Sequence, residues 1–242
     1  MEPKILFEDE SILVLDKPAG ITVNRSETTV GVETVQDWLE KEGKISLQGI
    51  SKDSDFYKRT GIVHRIDKET SGILLVAKDE ASFAELQRQF KDRTVKKTYT
   101  ALAHGEIKVP TGEINVPVGR LPWNRKQFGI IAGGRESVTK YTVLGIKYLV
   151  SEGKREPLTL VQLSPETGRT HQIRVHLKYF GHPIFADFLY GGRKVSREDR
   201  KLLNRVFLHA AKITFQHPKT GESVSFESPL PAELSGFLNA LE

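Results

Sequence analysis

The sequence predicts an α+β fold: one domain over residues 1–242, built on a large mixed, mainly antiparallel β-sheet with flanking helices. Three observations predict it. Short segments with alternating apolar residues outnumber helical ones. Strands and helices do not alternate regularly, which argues against a doubly wound parallel sheet. No Pro/Gly/Ser-rich linker, internal repeat or low-complexity tract divides the 242 residues, so Gly105–Gly134 reads as an excursion within that domain.

Each element has its own signal. Ser11–Asp16 reads as a short buried strand ended by the turn Lys17-Pro18-Ala19-Gly20. Thr34 caps a helix carrying Val35, Trp38 and Leu39, stopped at Gly43. Gly72–Ala77 is a second buried strand. Asp79 caps a helix carrying Phe83, Leu86 and Phe90. Alternation at Ile114/Val116/Val118, Thr139/Tyr141/Val143, Leu158/Leu160, Ala211/Ile213/Phe215 and Val224/Phe226 marks half-buried strands, the last two joined through Pro218–Gly221. Thr170 caps a helix with Ile173, Leu177 and Phe180 on its anchoring face, closed by Gly181. Ser196 with Asp199 reads as a capping box, and Leu234, Phe237, Leu238 and Leu241 form a last amphipathic helix.

Composition excludes several classes. There is no cysteine, hence no disulfide framework, cysteine-ligated zinc or thiol nucleophile. The longest aliphatic run, Ile73–Ala77, is far below a membrane span, and the acidic start lacks a signal-peptide core, so a soluble cytoplasmic protein is expected. Lys plus Arg number 36 against 31 Asp plus Glu, a net charge of +5. That charge is uneven: the first 56 residues hold six basic and twelve acidic side chains, which leaves +11 on the rest. A basic body suits a polyanionic partner or an unevenly charged solvated surface.

Three clusters carry chemistry. His64-Arg65-Ile66-Asp67 through Thr70-Ser71-Gly72 sets a carboxylate beside a buried strand, which suits either a rigidly held functional Asp or a plain turn. It is not a kinase loop: Ile66 interrupts the His-Arg-Asp order, and no glycine-rich loop or P-loop appears. In Lys97-Thr98-Tyr99-Thr100-Ala101, Tyr99 fills sheet surface, stacks on a nucleobase or exchanges a proton with one. In Gly168-Arg169-Thr170-His171-Gln172-Ile173-Arg174, a helix puts His171, Arg174 and Lys178 on one face, toward an internal carboxylate or a phosphate. His171 and His176 lie five apart, the wrong spacing for a helical zinc pair, so no metal is expected.

In this order, with Lys17-Pro18-Ala19-Gly20 before them and Gly181-His182-Pro183-Ile184, Asp187 and Tyr190 after, these clusters resemble the RluA-type RNA pseudouridine synthases from about Ile5 to Pro229. The resemblance implies the pseudouridine synthase fold, rRNA or tRNA as substrate and no cofactor; no membrane partner is expected from the composition, and a monomer is expected. It implies Asp67, Tyr99 and Arg174 as catalytic residues. Asp67 is the nucleophile, with attack on C1′, attack on C6 and the glycal route all open. Arg174 supplies the opposing charge, and Tyr99 stacks on the uracil. Arg65 fills the space left by the flipped base, and His64, Thr70, Arg169 and His171 complete the substrate-binding set. Asn24 stands where many relatives carry His, and Ala186 where Gly is usual. The chain starts almost at its first catalytic-domain strand, so no S4-like RNA-binding module is expected before it. The competing readings are a non-catalytic RNA-binding or RNA-chaperone protein on the same fold and, more weakly, a binder of free nucleotides.

Overall fold

Along the chain the computed structural model, which describes residues 2–151 and 153–242, holds strands β1 (Lys4–Glu8) and β2 (Ile12–Lys17), helices α1 (Val35–Lys41) and α2 (Asp55–Arg59), strand β3 (Ser71–Ala77) and helix α3 (Glu80–Lys91). Strands β4 (Lys96–His104), β5 (Thr111–Asn115), β6 (Val118–Leu121), β7 (Asn124–Ile130), β8 (Val138–Ser151) and β9 (Lys154–Pro165) follow. The chain closes with α4 (Gln172–Tyr179), α5 (Arg193–Leu202), β10 (Leu208–Gln216), β11 (Ser223–Glu227) and α6 (Ala232–Asn239). Among the described residues nine strands share one sheet, and β6 and β7 form a hairpin of their own. The α+β class is as expected. Two compact units arise, Met1–Lys96 with Ala210–Pro229, and Lys97–His209 with Leu230–Glu242.

In the first unit the order is β1-β2-β3, all antiparallel. Ile12 to Leu15 and Leu74 to Ala77 are completely buried, which is why both strands read as unbroken apolar runs rather than alternating ones. Gly72 stands at φ +108, and a Cβ there would lie 2.2 Å from the carbonyl oxygen of Ala210, so no side chain fits. Thr34 and Asp79 cap α1 and α3 as their sequences indicate, their side chains accepting from the N–H groups of Asp37 and Ser82. The β10–β11 hairpin pairs Ile213 with Phe226 and Phe215 with Val224.

In the second unit the order is β4-β9-β8-β5, again antiparallel. Its core joins Ala101, Leu102 and Ala103 of β4 to Val161 and Leu163 of β9, with Ile173 and Leu177 of α4 packed in. Among the described residues no helix is long and apolar enough to cross a membrane.

Four local expectations fail, each for a physical reason. Thr170 is exposed and does not cap α4; the capping residue is His171, at a left-handed φ of +57. Phe180 is 37% exposed rather than buried on the anchoring face, because α4 ends at Tyr179. Ser196 and Asp199 sit inside α5, whose N-cap is Gly192; their side chains bind the Asp187 carbonyl and the Ala186 N–H instead. Ile114/Val116/Val118 is not one strand, since β5 ends at Asn115 and Val118 opens the separate β6–β7 hairpin.

Candidate active site

The site residues fall into two groups. Asp67, Arg65, His64 and Thr70 belong to the first unit; Tyr99, Arg169, His171 and Arg174 belong to the second.

Asp67 is half-buried on the loop that leads into β3. That loop is held from several sides. The Ala77 N–H donates to the Gly61 carbonyl at 2.8 Å, and the Thr70 N–H to the Asp67 carbonyl at 3.1 Å. Lys17 is fully buried at the end of β2, and its ammonium donates to the carbonyls of Pro18 (2.8 Å), Ile21 (2.9 Å) and Lys68 (3.2 Å). A buried ammonium survives only when hydrogen-bond acceptors replace its lost water. The Lys68 carbonyl also accepts the Gly20 N–H at 2.8 Å. The Lys-Pro-Ala-Gly turn thus clamps the peptide that follows Asp67. This is a positioning role for Lys17 that reading the motif as a turn missed; the clue was a lysine ending an otherwise buried apolar strand.

His64 is committed to the fold. Its Nε2 accepts the N–H of Leu75 in β3 at 2.9 Å, so that nitrogen carries no proton, and its ring stacks on Phe90 of α3 at 4.9 Å. Arg65 is exposed beside it. Thr70 is buried, and its hydroxyl has no hydrogen-bond partner among the described residues.

Arg174 is buried in α4 with 6% exposure and meets Asp187, which is fully buried. The pair is bidentate: Nε to Oδ2 at 2.7 Å, and the guanidinium terminus to Oδ1 at 2.8 Å. Asp187 Oδ1 also accepts the N–H groups of Leu189 (3.0 Å) and Tyr190 (3.2 Å), so the carboxylate is anchored by backbone. The guanidinium lies 5.0 Å from the Tyr190 ring, and the Tyr190 hydroxyl meets His171 Nδ1 at 2.8 Å. A buried ion pair is tolerable only with this many auxiliary hydrogen bonds. Further along α4, burial pushes the His176 imidazole below its ordinary value against the pull of the Val116 carbonyl.

Asp187 is held in place by Ala186, whose N–H donates to Asp199 at 3.0 Å and whose carbonyl accepts from Arg200 at 2.7 Å. Ala186 stands at φ +58, a conformation that favours glycine. This explains why its departure from the usual Gly is conspicuous in sequence. Tyr99 is half-buried in β4 opposite Leu163. Two residues before it, burial pushes the Lys97 ammonium down to about 8. Arg169 is half-buried, its Nε donating to the Glu136 carbonyl at 3.2 Å. Among the described residues no group of three or more metal-ligating side chains comes together.

A family model described as RNA pseudouridylate synthase matches residues 11–179, a span that contains Asp67, Tyr99 and Arg174. The chain belongs to this family. It is thus an RNA pseudouridine synthase, an isomerase, of the RluA type. The uncharacterized RNA pseudouridine synthase YlyB of Bacillus subtilis is 37% identical over 242 residues, all of this chain and 73% of that protein. Ribosomal large subunit pseudouridine synthase C of Pasteurella multocida is 39% identical over 245 residues, all of this chain and 68% of the relative. Among solved structures, human RNA pseudouridylate synthase domain containing 1 matches with a TM-score of 0.73 and 28% identity, over 98% of this synthase and 87% of the human chain. The synthase therefore shares its fold with pseudouridylate synthase domains, as the α+β reading required.

Proposed function

We propose that this synthase isomerises specific uridines of ribosomal RNA, with Asp67 as nucleophile and Tyr99 and Arg174 as its catalytic partners. The reaction breaks the N1–C1′ bond of a uridine and forms a C5–C1′ bond; a proton leaves C5 and one is taken up at N1. Nothing is oxidised or reduced.

The observation that carries this reading is the rigidity of the charged groups inside a chain of this family. The peptide after Asp67 is clamped by Lys17, and Arg174 is locked in a buried fork on Asp187. A binding protein gains nothing from immobilising a carboxylate and a guanidinium; catalysis gains orientation. Arg174 supplies the opposing positive charge, Tyr99 stacks on the extruded uracil, and Arg65, exposed on the Asp67 loop, fills the vacated space in the RNA. Arg169, His171, His64 and Thr70 complete the surroundings of the substrate. Ribosomal RNA is favoured over transfer RNA because several relatives, such as the Pasteurella protein, are named for the large ribosomal subunit. The enzyme acts as a monomer in the cytoplasm, its single catalytic domain spanning both units.

The test is pseudouridine mapping on large-subunit rRNA isolated with and without the enzyme, and with Asp67→Asn. At least one site should be lost in both the deletion and the variant, while the purified variant still binds RNA. Sites that persist with Asp67→Asn would refute the nucleophile assignment.

A further inference from the structure

The turn that carries Asp187 is tied to the Tyr99 strand by two side chains that the catalytic assignment does not use. His104 ends β4, five residues beyond Tyr99. Its Nε2 meets Asp199 Oδ2 of α5 at 2.9 Å, and the same oxygen accepts the Ala186 N–H at 3.0 Å. Because that oxygen accepts, Nε2 is the ring nitrogen that carries the proton. The main chain is tied as well. The His104 N–H donates to the Pro183 carbonyl at 2.9 Å, the Phe185 N–H to the Leu102 carbonyl at 2.8 Å, and His182 Nδ1 to the His104 carbonyl at 2.9 Å. The His104 ring stacks on Phe185, with centroids 5.3 Å apart. Residues 183–186 are thereby stitched to the end of β4.

An apolar pair would fill this junction with less desolvation than a buried carboxylate and an imidazole. What it would lack is a directional grip on one N–H. Ala186 needs that grip. It stands at φ +58, where a residue with a Cβ is strained by about 1–2 kcal/mol. Such a conformation persists only where its surroundings over-determine it. Here α5 holds the residue from both sides: Asp199 accepts its N–H, and Arg200 Nε donates to its carbonyl at 2.7 Å. The next residue is Asp187, whose carbonyl accepts the Ser196 hydroxyl at 2.8 Å and whose carboxylate grips Arg174. The contacts run from the Tyr99 strand to the Arg174 guanidinium without leaving the second unit.

We infer that His104 and Asp199 are positioning residues for the reaction: their hydrogen bond latches the Ala186–Asp187 turn to β4 and so sets where the Arg174 guanidinium stands relative to the strand that carries Tyr99. Asp199 is buried, so its effect reaches the substrate only through Arg174. This rests on the catalytic roles proposed for Arg174 and Tyr99 and adds the pair that keeps them in register.

The experiment measures single-turnover pseudouridine formation on an unmodified large-subunit rRNA transcript, with enzyme raised to saturation, for the full chain and for Asp199→Ala, Asp199→Asn, His104→Phe and Arg174→Lys. His104→Phe keeps a ring against Phe185 and removes the donor; Asp199→Asn keeps an oxygen for both hydrogen bonds. Asp199→Ala and His104→Phe should lower the limiting rate constant by about tenfold, with the half-saturating enzyme concentration unchanged. Asp199→Asn should recover most of the loss. So should Ala186→Gly added to Asp199→Ala, because glycine takes the left-handed turn without strain. A merely structural role predicts the opposite split: loss of folded enzyme raises the half-saturating concentration and leaves the limiting rate constant untouched. Parental rate constants in Asp199→Ala and His104→Phe would overturn the latch, and His104→Phe alone decides if Asp199→Ala does not fold. A loss in Asp199→Asn as deep as in Asp199→Ala would also overturn it, since the hydrogen bonds would then not be what matters. Arg174→Lys separates the two layers. A parental rate in that variant means that the reading of Arg174 fails and the latch with it; a loss there beside a parental His104→Phe sinks the latch alone.

Discussion

Arg174 carries most of the site's geometry on one side chain. Its two nitrogens meet both oxygens of Asp187, which is itself pinned by two backbone N–H groups. Lysine keeps the charge but offers a single ammonium with no fork. Arg174→Lys should therefore lower stability by about 1–2 kcal/mol, the loss of a charged hydrogen bond. Pseudouridine formation should fall on the order of 100-fold, because a displaced charge misorients the reacting groups. RNA affinity should change little, since the side chain is buried. Denaturant titration and single-turnover assays check the two halves; near-normal turnover would show that the fork is dispensable. The sequence made Arg174 conspicuous, and the internal-anion alternative could be written beside the phosphate one. What it hid was Asp187 as the partner, because the pairing spans thirteen residues and depends on the left-handed turn at Ala186. The same limit applies to Lys17: three backbone carbonyls leave no trace in a motif.

The elements that carry Asp67 depend on close backbone packing. β2 and β3 are buried over almost their whole length, and Gly72 admits the Ala210 carbonyl where a side chain would stand. Gly72→Ala combines a left-handed φ with a backbone overlap at 2.2 Å, so something must shift. It should cost at least about 3 kcal/mol and leave little soluble protein. Gly20→Ala is the control. Gly20 has φ +93 with nothing within 4 Å of its Cβ, so only conformational strain remains, about 1–2 kcal/mol. Equal losses in the two variants, measured by urea unfolding, would refute the packing account. At this scale the sequence was most legible where a cap or an apolar run acts locally, as at Thr34, Asp79 and Ile73–Ala77. It misled where tertiary contacts took over the local signal. Ser196 and Asp199 have the spacing of a cap, yet they serve the Ala186–Asp187 turn. β7 carries charged and polar residues at Asn124, Arg125, Lys126 and Gln127, so its strand character had no hydrophobic pattern to reveal it.

For the whole molecule, charge sets the response to pH from both sides. On the acid side, burial tends to raise Glu40 and Asp37. The side chains of Arg25 and Thr60 around Glu40, and of Thr34 and Arg25 around Asp37, outweigh it and leave both carboxyls below their ordinary values. Such groups stabilise the fold above their unfolded pKa, and that contribution is lost as pH falls through the folded one. Lys97 works in the opposite sense. Burial lowers it from 10.5 to about 8, so between those values the unfolded chain binds more protons than the folded one. Stability therefore rises with pH across that window, and below about pH 8 the fold carries the full cost of a buried ammonium. Lys97→Met removes the cost. At pH 7 it should stabilise the protein by up to about 3 kcal/mol, the equivalent of the pKa shift. The advantage should shrink as the buffer is raised toward pH 10.5, where the parent lysine is neutral in the folded state. Urea midpoints of both proteins at pH 7 and at the alkaline limit measure the difference directly, and because each value is taken against the parent, other titrating groups cancel. A gain that does not depend on pH would mean that Met merely packs better than the lysine stem. A loss at pH 7 would mean that the ammonium is not an uncompensated charge. The side chain two residues before Tyr99 would then be kept for stability rather than for a basic group near the substrate.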